Sequence, residues 1–106
     1  MNPKPVIVLP QAETDIDEAI DWYASIGGNA LSDQWLLSVR SAMHRIAENP
    51  HIGSTRYALP LKLDELRFWA VTGFPYLMFY VERESHIDVS RVLHGKRDIP
   101  AWMGAN

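Results

Sequence analysis

The 106-residue chain has no cysteine. That excludes a disulfide framework, a thiolate nucleophile and any thiolate metal site, and it accords with a reducing compartment. No apolar run approaches the roughly 20 residues needed to span a bilayer. Residues 1–10 lack the charged and apolar blocks of a signal peptide. The expectation is a soluble cytoplasmic protein with no membrane partner. Repeats and low-complexity segments are absent, as are the Gly-x-Ser-x-Gly elbow and the glycine-rich phosphate loops. The four histidines, His44, His51, His86 and His94, never fall at the i, i+2 or i, i+4 spacing that would put two imidazoles on one metal. Neither a metal nor a cofactor is expected.

Positive charge is also in short supply. Ten Lys and Arg face thirteen Asp and Glu, for a net charge of −3. Residues 1–33 hold six acids (Glu13, Asp15, Asp17, Glu18, Asp21 and Asp33) against Lys4, a balance of −5, so the remainder carries +2. This is not the basic footprint of a stand-alone nucleic-acid binder, and no sequence-specific DNA binding by the chain alone is expected. The C-terminal part can still meet an acidic partner or a phosphate backbone. A hydrophobic content of 47%, with four Trp, is enough for one modest core. A single domain over 1–106 follows from the length.

Residues 6–9, VIVL, read as a strand between Pro5 and Pro10. Pro10 suits the first turn of a helix, where its missing N–H costs nothing. From Gln11 to Ser25, Ala12, Ile16, Ala19, Ile20 and Tyr23 recur at three- and four-residue spacing, and Gly27-Gly28 end the pattern. Asn29 can cap a second helix with the stripe Leu31, Trp35, Val39, Ala42, Met43 and Ile46, which Asn49-Pro50 breaks. Two amphipathic helices so closely joined should form an antiparallel hairpin. Residues 50–64 show no sustained period and read mostly as loop. Three strand-like runs follow, at 66–71, 76–83 and 86–93, with links short enough for an antiparallel meander. The middle run, YLMFYV, is apolar on both faces, as a central strand should be. In the last run, Ile87 and Val89 alternate against His86, Asp88 and Ser90, but the pattern becomes confused around Arg91. The fold class expected is α+β: an N-terminal strand that joins the later sheet, a helix hairpin and a three-stranded antiparallel meander, with the helices on one face of the sheet.

The segment richest in functional side chains is RVLHGKRDIPAW, 91–102. Gly95 allows a turn with positive φ, after which Lys96 and Arg97 project from a strand end. An arginine fork there can hold carboxylate or phosphate by two hydrogen bonds, and Arg91 could join from the strand. Lys4, Arg56 and Arg67 would widen a basic face if the fold brought them together. The plainer alternative is a local Arg97–Asp98 pair at a solvated turn.

The stretches LPQAETDIDEAIDWYA, AENPHIGSTRY, LRFWAVTGFPYLMFYV and above all VSRVLHGKRDIPAW resemble the ParE/RelE superfamily of toxins from bacterial type II toxin–antitoxin modules, over nearly the whole chain. The last of these resembles the ParE-like branch. That resemblance implies a toxin that poisons DNA gyrase with no chemistry of its own, with Arg91, His94, Lys96 and Arg97 as target contacts. The other branch, RelE-like, implies a ribosome-dependent mRNA endonuclease, which needs a proton-transfer group beside its phosphate-binding cations. Here Ala101, Trp102 and Met103 stand where a phenol or imidazole would serve, and an indole N–H does not exchange protons near neutral pH. His94 is the substitute in that alternative. A further alternative is a non-toxic module partner that co-represses its operon. An acidic balance also suits ribosomal RNA poorly. The expectation is therefore a non-enzyme with no catalytic residue. The resemblance also implies a cognate antitoxin in a hetero-oligomer. Large apolar residues beyond the needs of a small core, namely Trp22, Leu36, Trp69 and Trp102, together with Trp35, Leu37 and Phe74, supply candidate contacts for it.

Overall fold

Buried apolar positions on the long helical segment fall into two runs of identical spacing: Ala12, Ile16, Ala19, Tyr23, and then Trp35, Val39, Ala42, Ile46. Each run steps by four, three and four residues, which lines one helix face. The computed structural model, which describes residues 3–59, 61–96 and 99, joins them as one segment, α1 (Pro10–Glu48), interrupted only at Gly28. Straight, its 39 residues would extend about 58 Å at about 1.5 Å per residue, yet the longest dimension of the molecule is 38 Å. The chain folds back at Gly28, whose φ of 69° and ψ of −168° lie in a region essentially confined to glycine. The expected hairpin is present, and helical backbone resumes at Asn29 without a separate loop.

The arms are fastened across their apolar faces. The fully buried Trp35 donates its indole N–H to the carbonyl of Ile16 at 3.3 Å. Tyr23, Trp35, Phe74 and Tyr76 form a cluster of tilted and edge-on rings, with Tyr23–Phe74 centroids 4.9 Å apart and Trp35–Tyr76 4.8 Å. Trp35 is thus the centre of the core, not surplus surface. Phe74 also packs against it.

Among the described residues, four strands follow or precede the hairpin: β1 (Val6–Val8), β2 (Leu66–Ala70), β3 (Tyr76–Glu82) and β4 (Ile87–His94). Their order is β1-β4-β3-β2. The meander β2–β3–β4 is antiparallel, as its short links require, while β1 lies parallel to β4, so the sheet is mixed. Between Phe79 and Tyr80 the register shifts: Phe79 faces Arg91 and Tyr80 faces Val89, which leaves Ser90 as an extra residue on β4. That bulge explains the confused alternation in the sequence. Ile87 and Val89 face the helical arms before it, and Val92, rather than Arg91, does so after it.

β3 is buried on both faces, but only one face meets the helices. Met78 and Tyr80 join the hairpin core, whereas Phe79 lies in a second cluster with Leu66, Leu93 and Ile99. Tyr57 and Leu61, from the irregular stretch between the helix and β2, cover that second cluster. The stretch is pinned by Tyr80, whose hydroxyl accepts the Gly53 N–H at 2.9 Å and donates to the Pro50 carbonyl at 2.7 Å. A short 3-10 turn, Pro50–Ile52, begins it. The segment read as loop therefore serves as the cover of the second sheet face.

Candidate functional site at the end of the last strand

β4 ends where β3 begins. His94 pairs in register with Tyr76, and the Gly95 N–H donates to the Pro75 carbonyl at 2.7 Å. Among the described residues positive φ occurs at Gly28, Gly73 and Lys62, not at Gly95. The expected left-handed turn at Gly95 is corrected accordingly: hydrogen bonding to Pro75 bends the chain in an ordinary conformation. A Cβ at that position would meet the Pro75 carbonyl at 3.5 Å, an ordinary contact.

His94 is half-buried, with its ring edge-on to Tyr76 at 5.3 Å between centroids. Its Nδ1 accepts the Lys96 N–H at 3.1 Å. With that lone pair taken, the neutral ring carries its proton on Nε2 and presents a donor. Lys96 is exposed. Arg97 and Trp102 lie outside the described residues.

Arg91 has a different position from the one expected of a target contact. It is only 8% exposed, and its Nε and Nη2 donate to Oδ2 and Oδ1 of Asp15 at 2.8 and 2.9 Å. Hydrogen bonding to Asp15, opposed by burial and reinforced by the Asp15 and Glu18 charges, holds the guanidinium pKa above its usual value. Asp15 Oδ2 also accepts the Val92 N–H at 2.9 Å. β1 pairs with β4 only as far as Val89, so Asp15, early in α1, continues along the strand edge where β1 leaves off. The cation read as a second anion contact is thereby neutralised by a carboxylate fixed on the helix.

Among the described residues a wider basic face does not form either. Lys4 pairs with Glu82 at 2.8 Å and donates to the Arg83 carbonyl. Arg67 donates to the carbonyls of His51 and Gly53. Lys4 is thus held at the Glu82 end of β3, and Tyr76, beside His94, marks the other end. Those ends are roughly 20 Å apart at about 3.3 Å per residue. Arg56 lies over the Tyr57 ring at 5.7 Å.

Of the apolar candidates, Trp22 is 58% exposed and Leu37 is exposed, while Leu36 packs half-buried against the core and Trp69 is half-buried. Leu37 and Trp69 border a depression of about 360 Å³ between the second helical arm and β2, together with Ser38, Arg45 and Thr72. A second cleft, of about 400 Å³, opens between the first arm and the ends of β3 and β4. Asp15, Glu18, Trp22, Tyr76, Val92 and His94 line it. Sequence reasoning passed over Asp15, Glu18 and Tyr76, because nothing in their local spacing shows that they meet the end of β4. Among the described residues, no group of three His, Cys, Asp or Glu is placed to hold a metal ion, and no helix is long and apolar enough to cross a membrane.

Among the described residues, a helix hairpin is laid on a mixed four-stranded sheet, and the last strand ends at His94, Gly95 and Lys96. Residues 6–99 match the family model described as ParE toxin of type II toxin-antitoxin system, parDE. The toxin ParE1 sequences of two Mycobacterium tuberculosis strains, CDC 1551 / Oshkosh and ATCC 25618 / H37Rv, are each 30% identical over 96 residues, spanning 88% of this chain and 91% of theirs. A chain from the chromosomal ParDE TA system from P. aeruginosa superposes with a TM-score of 0.71, covering 86% of this chain and 95% of that one. At 13% identity, the likeness concerns the fold. The protein belongs to the ParE toxin family of type II toxin–antitoxin systems.

Proposed function

We propose that the protein arrests growth by binding and poisoning DNA gyrase through the tip that carries His94 and Lys96 and through Arg97, the next residue in sequence, catalyses no reaction itself, and is neutralised by direct binding of its antitoxin. The observation that carries this reading is the state of His94. Its Nδ1 is taken up by the Lys96 N–H, so a neutral ring offers the Nε2 proton as a hydrogen-bond donor and has no lone pair free to act as a general base. Cleavage of RNA through its own 2′-hydroxyl requires such a base beside phosphate-binding cations. The nearest arginine of the strand, Arg91, is already paired with Asp15. A donor and a lysine at an exposed strand end instead suit contact with an acidic surface.

Antitoxin contact is proposed at Trp22 and along the depression bordered by Leu37 and Trp69, where large apolar side chains remain open. Leu37 takes the place of its half-buried neighbour Leu36. The test is expression of the chain alone in bacteria, with plasmid topology, DNA breakage and transcript integrity followed together. Trapped DNA breaks with an SOS response and intact transcripts are expected. Cleaved transcripts would assign the chain to the endonuclease reading, and unimpaired growth to a non-toxic co-repressing partner.

A further inference from the structure

The cleft between the first arm of α1 and the ends of β3 and β4 has the opposite electrostatic character from the tip beside it. The charge of Asp15, which lines it, is cancelled: Arg91 occupies both carboxylate oxygens, and Oδ2 also takes the Val92 N–H. Glu18 remains. It is exposed, its side chain makes no ion pair or hydrogen bond among the described residues, and its charge acts on Arg91 only at longer range. One helical turn further along the same face stands the exposed indole of Trp22. Opposite lie Tyr76 and His94 in their edge-on pair.

An apolar side chain entering here would strip water from Glu18 without giving it a partner, and an acidic one would be repelled. A cation satisfies both features, since the carboxylate takes the charge and the ring faces attract it. A planar guanidinium does so better than an ammonium, because it can stack on the indole while holding a carboxylate with two N–H groups. The volume, about 400 Å³, lies at the small end of the roughly 300–1,000 Å³ range of ligand clefts. It suits one long side chain with its adjoining backbone.

We infer that this cleft seats an arginine side chain presented by a partner protein segment, held between Glu18 and Trp22. The inference rests on the proposed partner surface at Trp22 and names the chemical group that surface recognises. A segment that docks here must be basic at this point, although the neighbouring tip offers Lys96 to an acidic surface.

The probe is a capped pentapeptide with arginine at its centre and glycine and alanine around it, titrated into the isotopically labelled full chain while the indole N–H resonance of Trp22 is followed. Saturable movement is expected, with a Kd of about 1–10 mM for a single anchoring side chain. The same peptide with neutral citrulline should bind about tenfold more weakly, and Glu18→Gln should weaken the arginine peptide about fivefold or more; Trp22→Ala, which lacks the reporter indole and is followed by the backbone amide resonances of Glu18 and Ala19, should do the same. Equal binding of the citrulline peptide, or no movement of Trp22 at about 20 mM arginine peptide, would overturn the inference. Co-purification of the chain with its antitoxin separates the two claims. Antitoxin binding without arginine-peptide binding removes only the cleft assignment, whereas the converse leaves the cleft standing and removes the antitoxin surface.

Discussion

Asp15 and Arg91, 76 residues apart in sequence, form a two-point ion pair in which the same carboxylate also accepts the Val92 N–H. The side chains are only 11% and 10% exposed. The pair ties the first helical arm to the last strand immediately before the tip. A nearly buried pair of this kind is weak ground for a large net stabilisation, but breaking one side of it is costly, because the other charge is left without a partner.

Asp15→Asn should therefore destabilise the protein by about 3 kcal/mol, measured by chemical denaturation. The asparagine can still accept from Val92, but it leaves the guanidinium uncompensated. Adding Arg91→Met should recover a large part of the loss. A double mutant no more stable than Asp15→Asn would show that the uncompensated guanidinium is not the source of the loss.

The glycines divide into those that the backbone requires and those that it does not. Gly28→Ala should cost about 1–3 kcal/mol, since its φ and ψ are closed to a residue with a Cβ. Gly95→Ala should change stability by less than about 0.5 kcal/mol, because it has ordinary φ and an added Cβ meets only an ordinary contact. Gly53→Ala belongs with the first group: its Cβ would lie 2.8 Å from the Phe68 carbonyl and against the Tyr80 hydroxyl. Thermal melts of the three variants check the ordering.

The helical arms could be read from the sequence because two stripes at helical spacing lie on either side of a glycine pair, and period alone fixes which faces of Ile16 and Trp35 go inward. The meander followed from equally local punctuation. The bulge at Ser90 left only a trace, the alternation that failed at Arg91. Its consequence, Arg91 turned into a pair with Asp15, depends on which helix residue stands across the strand edge, and no local pattern encodes that. For the same reason the exposed Leu37 could not be told from the half-buried Leu36 beside it. Tyr57 and Leu61 were hidden as core residues by the irregular segment that carries them, although a middle strand apolar on both faces already called for a second cover.

Glu82 accepts from Lys4 and sits within reach of His51, and those partners, hydrogen bonding from Lys4 first, hold its carboxyl below its ordinary value near 4.5. A carboxylate whose folded-state pKa is depressed contributes fully above its unfolded value and loses that contribution as pH falls through the folded-state value. Glu82→Gln should thus lower stability by about 0.5 kcal/mol at pH 7, as for partly exposed pairs, and by the same amount at pH about 5.5. The difference from the unaltered protein should close on acidification below about pH 4. Paired thermal melts across that range provide the check. A gap that stayed constant down to pH about 2 would place the effect in packing and not in ionisation.

Leu37 is exposed at the edge of the depression that also includes Trp69. Leu37→Glu should leave stability within about 0.5 kcal/mol of the unaltered chain and weaken antitoxin binding by about 2 kcal/mol, as burial of a charge in an apolar contact would. Calorimetric titration of the purified partners reads both affinity and stoichiometry.

The most direct test is to incubate the purified protein with gyrase and supercoiled plasmid, and in parallel with ribosomes translating a defined message. Accumulation of gyrase-linked broken DNA that Lys96→Glu abolishes, alongside an intact message, is the predicted result. A message cut on the ribosome, with the cutting lost in His94→Ala, would contradict it.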